Sequence, residues 1–500
     1  MPVLVVSGVL GALAYPRLGW WLLAWGFLAP AFALALARPP RAALRDGWLA
    51  GTAFFVVLLS WLDHTFTHYS AIPWPVSWLP IAALAAYCGL YVGLVCLGLS
   101  WLAPALGGRA LAMAPVLWVA GEWIRGWLMD GFPWGLVGYS QHSALAVIQI
   151  ADLSGVYGVS FVVVAANAAL AAVLALPWRR AAPGVAGALV LLGASIAYGV
   201  LALRSADAAA SVPVAVIQPA VEQSIKWDPT SRGEILDRYE RLTREAARSR
   251  PVLVVWPETA APIFLRGEPE LVRRLTRLAG EVGTPLLVGS VDRQPGPGGA
   301  LLNSAFLLTE QGITAKYDKM HLVPFGEYVP LSGLIGFVRS WAEFISDFAA
   351  GEQATVFPLE AGRFGTVICY EVIFPELFRQ AVAGGAAFMT NITNDAWFGE
   401  TSGPWQHLAT LPLRAVEHRV GIARAANTGI SAFVEPSGRI TSWLPLGARG
   451  VLERRVTLRR GPTMYTRYGD WLPWGCCLAA AATLMGSALS RRSPRSCSAS

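Results

Sequence analysis

Charged residues are scarce in this chain, and that scarcity is the first constraint on what the protein is. Only 14% of its 500 residues are charged, whereas 55% are hydrophobic and 21 are tryptophan. A soluble globular protein normally carries charge on about a quarter of its residues. The composition therefore excludes an ordinary soluble enzyme and indicates a membrane protein with more than one domain.

Cysteine is also sparse, since the chain holds six cysteines and five of them lie in or beside apolar runs. They show no paired spacing in the hydrophilic part of the sequence, which argues against a disulfide framework and against a metal site. The net charge of +7 comes from arginines in short loops and in the middle of the chain, without a basic stripe. We therefore expect no metal site and no nucleic-acid partner.

Long apolar runs are abundant, and eight of them are predicted to span a membrane as helices. They lie at 3–15, 18–37, 47–62, 78–103, 110–128, 156–177, 183–203 and 471–490. The first run could be a signal peptide, since Ala12-Leu13-Ala14 resembles a cleavage site. No Arg or Lys precedes it and further runs follow at once, so we expect it to be retained.

This pattern divides the chain into four predicted parts. They are a bundle of seven spans over 1–205, a hydrophilic domain over 212–460, a final transmembrane helix over 471–490 and a cytoplasmic tail over 491–500.

The arginines between the runs predict the orientation, because positively charged loops stay in the cytoplasm. Loops that follow even-numbered runs, together with the tail, hold Arg38, Arg41, Arg45, Arg109, Arg179, Arg180, Arg491, Arg492 and Arg495. The opposite loops hold little beyond Arg17 and Arg125. Both termini are therefore expected in the cytoplasm, with the hydrophilic domain on the outer side, which is the periplasm if there is an outer membrane.

The hydrophilic domain alternates strand and helix patterns, which is typical of an α/β layered fold. Predicted strands are 214–218, 252–256, 285–290, 364–368, 387–392 and 430–435, and predicted helices are 232–248, 267–282, 375–383 and 405–419.

Candidate catalytic residues follow two of these strands. Cys369 ends the apolar strand 364–368 and precedes a helix that opens with Pro375 and Glu376. A thiol near the positive end of a helix has a lowered pKa and becomes a nucleophile. A lone cysteine is more often a small buried hydrophobe. Glu258 follows strand 252–256 and is a candidate general base, or else an ordinary helix N-terminal residue.

Lysine supplies the third candidate, because the chain has 39 Lys plus Arg but only three lysines: Lys226, Lys316 and Lys319. A retained lysine marks a site that needs a compact ammonium instead of a planar guanidinium. Lys319 lies in a stretch dense with Pro, Gly and aromatic residues, where a merely solubilising lysine is unexpected. Beside Cys369, it would favour the thiolate and then stabilise an oxyanion.

Glu, Lys and Cys in this order at strand ends resemble the triad of the nitrilase (carbon–nitrogen hydrolase) superfamily. The resemblance covers most of 212–457 and includes the motifs Trp256-Pro257-Glu258, Lys319 to Glu327 and Cys369-Tyr370-Glu371. With the membrane spans, the motif 226–229 (Lys-Trp-Asp-Pro) and the motif 394–399 (Asn-Asp-Ala-Trp-Phe-Gly), the whole chain resembles the apolipoprotein N-acyltransferase family.

The resemblance implies a fold and a set of residue roles. The fold is a bundle of about eight transmembrane helices with an extracytoplasmic nitrilase-like α-β-β-α sandwich. Cys369 would be the nucleophile, Glu258 the base, and Lys319 together with the Tyr370 backbone N–H the oxyanion holder. The remaining matches, Glu327, Glu371, Tyr370 and Trp227, would support or shape the site.

The resemblance also implies a reaction and its partners. An acyl chain would pass from a phospholipid, with phosphatidylethanolamine as the expected donor, to Cys369 as a thioester. The α-amine of an apolipoprotein's N-terminal diacylglyceryl-cysteine would then take it as an amide. No cofactor or metal is required, and the expected protein is a monomer in the bacterial inner membrane.

Two other functions remain open from the residues. A membrane-bound amidase acting on a small soluble amide would use the same triad, although eight spans exceed what a tether needs. A transporter or lipid-binding scaffold with an inactive domain would show ionisable residues inside its spans or internal repeats, and we find few of the former and none evident of the latter.

Further residues have expected roles outside the triad. His407 and His418 are interpreted as surface or packing residues, His321 as structural, Asn394-Asp395 as a turn and Trp397-Phe398 as packing. The segment 330–350 combines glycine with large apolar residues and is predicted to be a mobile lid that contacts lipid through Leu334 and Phe337.

Overall fold

The computed structural model describes residues 1–70, 72–204, 209–296, 298–328 and 348–492. They divide into two compact units. The first comprises Met1–Ser60, Trp78–Ala202 and Asp470–Ser500, and the second comprises Trp61–Ser77 and Leu203–Gly469. The predicted lid at 330–350 lies mostly outside the described residues.

The first unit is helical. Its helices are Pro2–Ala12, Ala29–Ala37, Pro40–Leu58, Trp78–Leu106, Ala114–Arg125, Leu145–Ile148, Ala151–Ala175, Trp178–Arg204 and Trp471–Arg492. Within the described residues, four stretches are long and apolar enough to cross a membrane: 78–125, 151–175, 178–204 and 471–491. The count becomes five if 40–58 and 62–69 form one span, whereas 2–12 and 21–37 are apolar but shorter.

Glycines bring two of these helices into close contact. A Cβ on Gly51 would lie 2.8 Å from Gly89 Cα, and a Cβ on Gly93 would lie 2.7 Å from the Leu44 carbonyl oxygen. Gly47 and Gly51 are four residues apart on one helix, as Gly89 and Gly93 are on the other. Small residues at this spacing let backbones approach closely, which is how helices associate where there is no water to drive them together.

The described residues of the second unit form thirteen strands. They are β1 (Ser211–Gln218), β2 (Leu253–Val255), β3 (Ala261–Phe264), β4 (Leu286–Arg293), β5 (Leu301–Thr309), β6 (Gly312–Asp318), β7 (Val356–Phe357), β8 (Phe364–Ile368), β9 (Phe388–Thr393), β10 (Ile422–Ala426), β11 (Ala432–Val434), β12 (Ile440–Trp443) and β13 (Gly450–Thr457). Its helices are Leu62–Tyr69, Gln223–Lys226, Arg232–Ala246, Pro269–Val282, Pro375–Ala383, Gly403–Leu408, Leu411–His418 and Met464–Tyr468.

The strands form two sheets with a parallel centre in each. One has the order β13-β1-β2-β4-β5-β6, with β3 beside β4, and the other has the order β12-β11-β10-β9-β8-β7. Strands β1, β2 and β4 run parallel, as do β8, β9 and β10. The sheets face each other through β1 with β10 and β5 with β8, while helices pack on both. This is the expected α-β-β-α sandwich.

Burial explains which helices pack on the first sheet. Helices 232–246 and 269–282 place Leu236, Tyr239, Leu275 and Leu278 in one core cluster with Trp256 and the β-strand residues. Their opposite faces carry charged side chains, as expected for amphipathic helices on a sheet.

Several elements differ from the sequence prediction. Strand 364–368 and helix 375–383 have the predicted bounds, but β3, β5, β6, β7, β10, β12 and β13 were not predicted. The predicted helix 405–419 is two helices, Gly403–Leu408 and Leu411–His418, because Pro412 starts a new helix where its missing N–H is tolerated.

A segment placed by the sequence in the helical part groups with the second unit instead. Helix Leu62–Tyr69 packs against the short 3-10 helix Asp395–Phe398. Thr65 donates to the Trp397 carbonyl at 2.8 Å, and the rings of Trp61 and Phe398 lie 4.6 Å apart. The prediction included this segment in the bundle as the loop between the runs 47–62 and 78–103, whereas its hydrogen bond and ring contact lie within the second unit.

Candidate active site

Cys369 lies at the sharp end of β8. Its φ is +52°, a left-handed value that costs a non-glycine residue about 1–3 kcal/mol. A 3-10 helix, Cys369–Ile373, follows at once, and the α-helix begins only at Pro375. The strained turn holds the cysteine between strand and helix, at the point where a nucleophile must project from the sheet.

The state of the thiol differs from the expectation. Burial raises the pKa of the Cys369 thiol, and the carboxylates of Glu258 and Asp395 raise it further, while Lys319 and the nearby Thr393 hydroxyl lower it less. The prediction of a lowered thiol pKa was therefore wrong, because burial outweighs the nearby positive charge. The thiol is protonated at neutral pH, and it needs a base to become a nucleophile.

Glu258 is placed to be that base. It follows β2, is buried, and has both carboxylate oxygens fixed: Oε1 accepts from Asn303 Nδ2 at 2.7 Å and Oε2 accepts from the Asn394 backbone N–H at 2.8 Å. The two donors come from β5 and from the end of β9. The first sheet thus supplies the carboxylate and both sheets orient it.

Lys319 follows β6 and is only 1% exposed. Its Nζ lies 2.8 Å from Glu327 Oε2 and 3.6 Å from Glu258 Oε1. Burial alone would lower the pKa of Lys319, but the carboxylates of Glu327 and Glu258 outweigh it and raise that pKa above its usual value. The side chain is therefore a permanent ammonium between two carboxylates, suited to stabilise negative charge and unsuited to be a base.

A family model of the carbon–nitrogen hydrolases matches residues 213–461, and a model of the apolipoprotein N-acyltransferase N-terminal domain matches residues 7–169. The chain is 41% identical to an apolipoprotein N-acyltransferase of Geobacter metallireducens, covering 98% of this chain and 95% of that protein. It is 38% identical to one of Azotobacter vinelandii, covering 98% and 94%.

The chain belongs to the apolipoprotein N-acyltransferase family.

Solved structures are similar to part of the chain. An amidase of the nitrilase superfamily from Nesterenkonia AN1 is 24% identical with a TM-score of 0.37, covering 52% of this chain and 92% of that chain. Nit3 of Saccharomyces cerevisiae, another member of the superfamily, is 20% identical with a TM-score of 0.38, covering 49% and 90%.

Glu371 ties two parts of this acyltransferase-family site together. Its Oε1 accepts from the Tyr317 hydroxyl and the Met320 backbone N–H, both at 2.7 Å, and its Oε2 accepts from the Ile368 N–H at 2.6 Å. Burial raises the pKa of Glu371 to about 7 against these donors and Lys319. The carboxylate joins the Lys319 loop to the Cys369 turn, which is a supporting role.

Glu327 has the same supporting character on the other side of Lys319. It accepts from the Val323 backbone N–H at 2.8 Å and from Asn303 Nδ2 at 2.9 Å. Asn303 therefore bridges Glu258 and Glu327, a role that the sequence analysis missed. Its only sequence signal is a polar residue within the apolar stretch 301–309, a strand that was not predicted.

The two aromatic candidates differ in their surroundings. The Tyr370 side chain is buried and lies 5.2 Å from the Phe374 ring. The Trp227 side chain is 50% exposed, unlike the triad residues. An exposed aromatic ring beside a buried site suits contact with a substrate more than a part in the chemistry.

Lys226, the neighbour of Trp227, was also missed. Its Nζ is buried and donates to Thr259 Oγ1 at 2.6 Å and to the Glu258 carbonyl at 3.2 Å. Burial lowers the pKa of Lys226 to about 8, against the charges of Glu258 and Cys369. The scarcity of lysine pointed to this residue as much as to Lys319. Lys316 instead pairs with Asp292 and Asp318 at 2.7 and 2.9 Å, away from this site.

His407 corrects another prediction. It is fully buried, and its Nε2 lies 3.1 Å from the carbonyl oxygen of Cys369, so it is neither a surface residue nor simple packing. Its Nδ1 lies 2.9 Å from Asp395 Oδ1, which makes Asp395 more than a turn residue. His418 is buried against the rings of Phe378 and Tyr465, as a packing residue would be.

No group of three or more His, Cys, Asp or Glu side chains suited to a metal ion occurs within the described part of the chain.

Proposed function

We propose that this protein transfers an acyl chain from a phospholipid to the α-amino group of the N-terminal diacylglyceryl-cysteine of an apolipoprotein, through a thioester at Cys369. The observation that carries the proposal is the buried Glu258–Lys319 pair, 3.6 Å apart and electrostatically coupled to the Cys369 thiol, in a chain of the apolipoprotein N-acyltransferase family. Phosphatidylethanolamine is the proposed donor.

Acylation begins with the proton of the thiol. Glu258 takes that proton, and the thiolate attacks the carbonyl carbon of the phospholipid ester. The oxyanion that forms is stabilised by the Lys319 ammonium and the Tyr370 backbone N–H. The carbon–oxygen bond to the glycerol then breaks, Glu258 returns the proton to the leaving oxygen, and a lysophospholipid departs. A thioester remains on Cys369.

Transfer to the acceptor reverses these roles. The neutral α-amine attacks the thioester, Glu258 takes a proton from the attacking nitrogen, and the same oxyanion holders act again. The carbon–sulfur bond breaks and the thiolate recovers the proton from Glu258. The amide product requires no other source of energy, because the phospholipid ester already supplies the acyl group in activated form.

The proposed setting is the bacterial inner membrane. Eight transmembrane helices are supported by the eight apolar runs, and cytoplasmic termini with a periplasmic catalytic unit are supported by the arginine distribution along the chain. A catalytic unit on that side meets both lipid substrates at the membrane surface. The proposed protein acts as a monomer without cofactor.

The test is to trap the acyl-enzyme. Purified protein incubated with acyl-labelled phosphatidylethanolamine, without acceptor, should gain one label that neutral hydroxylamine removes. Cys369→Ala should gain none, and Cys477→Ala, in the final helix, should label normally. A peptide beginning with diacylglyceryl-cysteine should discharge the label into a hydroxylamine-resistant amide. Release of ammonia from a small amide, without any labelled enzyme, would instead identify an amidase.

A further inference from the structure

A second buried network lies behind Cys369 and takes no part in the proposed chemistry. His407, Asp395 and Arg424 are each at most 1% exposed. Arg424 in β10 donates through Nη2 to Asp395 Oδ2 at 2.6 Å and lies 3.1 Å from His407 Nδ1. Thr393 donates to Asp395 Oδ1 at 2.9 Å. Every group in the network is therefore held by at least one other.

The proton arrangement of His407 follows from its partners. The Cys369 carbonyl can only accept, so His407 Nε2 carries a hydrogen and donates it. Burial and the Arg424 guanidinium lower the pKa of His407, against the Asp395 carboxylate, which raises it. Burial alone would raise the pKa of Asp395, but Arg424 and His407 outweigh it and keep that pKa well below its usual range. The network thus presents one fixed donor to the Cys369 carbonyl.

That carbonyl shares a peptide bond with the Tyr370 N–H. The Cys369–Tyr370 bond is not among the cis peptides of the chain, so its C=O and N–H point in opposite directions. Holding the oxygen in one place therefore fixes the direction of the N–H. A hydrogen bond that orients this peptide matters because Cys369 has a φ of +52°, a value that its own backbone preference does not favour.

We propose that His407, held by Asp395 and Arg424, is a positioning residue that orients the Cys369–Tyr370 peptide so that the Tyr370 N–H faces the oxyanion. The inference rests on the proposed function, since the Tyr370 N–H matters only if acyl transfer passes through an oxyanion. His407 does not act as the base, because its donor contacts a backbone carbonyl and its other nitrogen faces Asp395 and Arg424.

Two substitutions of His407 distinguish the effect of its hydrogen bond from the effect of its side-chain volume. The side-chain amide of His407→Gln can place its nitrogen where Nε2 lies and donate to the Cys369 carbonyl. The shorter His407→Asn reaches only the Nδ1 position and removes the side-chain donor that His407 supplies to that carbonyl. Both amides are polar and smaller than histidine, so a difference between them reports the single hydrogen bond.

Two reactions of Cys369 distinguish a loss of oxyanion stabilisation from a loss of thiol reactivity. Acylation by labelled phospholipid develops an oxyanion, whereas alkylation by iodoacetamide displaces iodide and develops none. His407→Asn should acylate about 10- to 100-fold more slowly, a loss of the size seen for weakened oxyanion stabilisation, with an unchanged KM. Its alkylation rate should stay within about threefold, and His407→Gln should recover most of the acylation rate.

A perturbation from the other end of the network provides a second variant. A Cβ on Gly429 would lie 2.4 Å from Asp395 Oδ2, so Gly429→Ala displaces that carboxylate without touching His407. It should show the same selective loss of acylation. His418→Asn changes a buried histidine of the neighbouring helix and should leave the ratio of acylation to alkylation at the wild-type value.

The inference is overturned if acylation and alkylation fall together in His407→Asn and Gly429→Ala, or if neither falls. A small activated ester, p-nitrophenyl butyrate, keeps the test independent of the natural substrates because its attack also forms an oxyanion. Failure of the wild type to acylate from phospholipid, with a selective loss on the small ester in His407→Asn, would refute the proposed function and retain the positioning role.

Discussion

Both units of the molecule bury a carboxylate and a cation, but they hold these charges differently. In the helical unit, Glu122 Oε1 accepts from the Val137 backbone N–H at 2.7 Å, and Arg125 donates to the carbonyls of Phe132 and Trp134. The backbone partners in these bonds all belong to one stretch, 132–137, and the Ser160 side chain is a further partner of Glu122. In the α/β unit, the partners of Glu258 and Lys319 come from separate strand ends and are mostly side chains.

We interpret the difference as one between a structural use of buried charge and the catalytic use proposed for Glu258 and Lys319. Backbone partners from one loop fix the path of that loop, and the guanidinium of Arg125 additionally lies 5.1 Å from the centre of the Phe55 ring. Side-chain partners from several strands fix the position of a charge near a third group, here the Cys369 thiol. Burial of a charge is therefore a weak sign of catalysis, and the origin of its partners is a stronger one.

Lys319→Arg should give the largest effect on the catalytic pair. Arginine keeps the charge, but its planar fork cannot occupy the position of a compact ammonium between Glu327 and Glu258. Acylation of Cys369 should fall about 10²- to 10³-fold, the cost of losing one oxyanion donor. The rate of labelling by acyl-labelled phospholipid measures it, and thermal unfolding in detergent checks that the fold is retained.

Lys316→Arg is the matched control for that substitution. Lys316 bridges two aspartates and is partly exposed, so a guanidinium can replace it. Its acylation rate should stay within about twofold of wild type, as for exposed ion pairs in general. Equal losses in both variants would remove Lys319 from the proposed chemistry.

Gly289→Ala should give the next largest effect, by moving Glu258 without changing it. A Cβ at this position in β4 would lie 2.3 Å from the Pro257 carbonyl oxygen and 2.8 Å from Glu258 Cα. We expect acylation to fall about tenfold or more, because a shift of about 1 Å is costly in a preorganised site. Gly280→Ala, where the nearest atom would be 3.5 Å away, should leave the rate unchanged. A normal rate in Gly289→Ala would show that Glu258 needs no such precision.

Glu258, Lys319 and Cys369 stay the predicted catalytic residues, and the structure places Lys319 Nζ 3.6 Å from Glu258 Oε1. Each member comes within three residues of the end of a strand: Glu258 after β2 and Lys319 after β6 in the first sheet, and Cys369 after β8 in the second sheet, which faces the first. Only the strands before Glu258 and Cys369 were predicted, so Lys319 was found through the scarcity of lysine and the motif resemblance. The β-branched run before Cys369 gave the bounds of β8. The motif resemblance then supplied the supporting residues Glu327 and Glu371, whose contacts match that role.

The parts that were missed depend on contacts that no local pattern encodes. His407 and Arg424 lie 38 and 55 positions after Cys369, on a helix and a strand with ordinary apolar neighbours. The raised thiol pKa also escaped prediction, because it depends on the depth of burial and not on the neighbouring residue types. Asn303 was missed because its strand, 301–309, was not predicted.

Arg125→Met tests the structural side of the comparison. Removing the guanidinium leaves two buried carbonyls and Glu122 without their cation, which should cost about 2–4 kcal/mol of stability. The acylation rate of the protein that remains folded should be close to wild type, because no group at Cys369 has changed. Thermal unfolding and labelling normalised to iodoacetamide-reactive Cys369 measure the two effects. A selective loss of acylation would contradict the division drawn between the two buried pairs.

Lys226 offers the smallest and most specific test, because it is a buried cation whose hydrogen-bond acceptors are a hydroxyl and a backbone carbonyl. Its pKa is lowered to about 8 in the folded protein and is about 10.4 when unfolded. Between these values the unfolded chain binds the proton that the folded chain has lost, so stability should rise with pH across pH 8 to 10.4. The rise is at most about 3 kcal/mol, from 1.36 kcal/mol per unit. Unfolding measured across this range should show a shallower rise in Lys226→Met than in wild type. An identical pH dependence in both would mean that Lys226 carries its charge in the folded state like an ordinary, well-paired lysine.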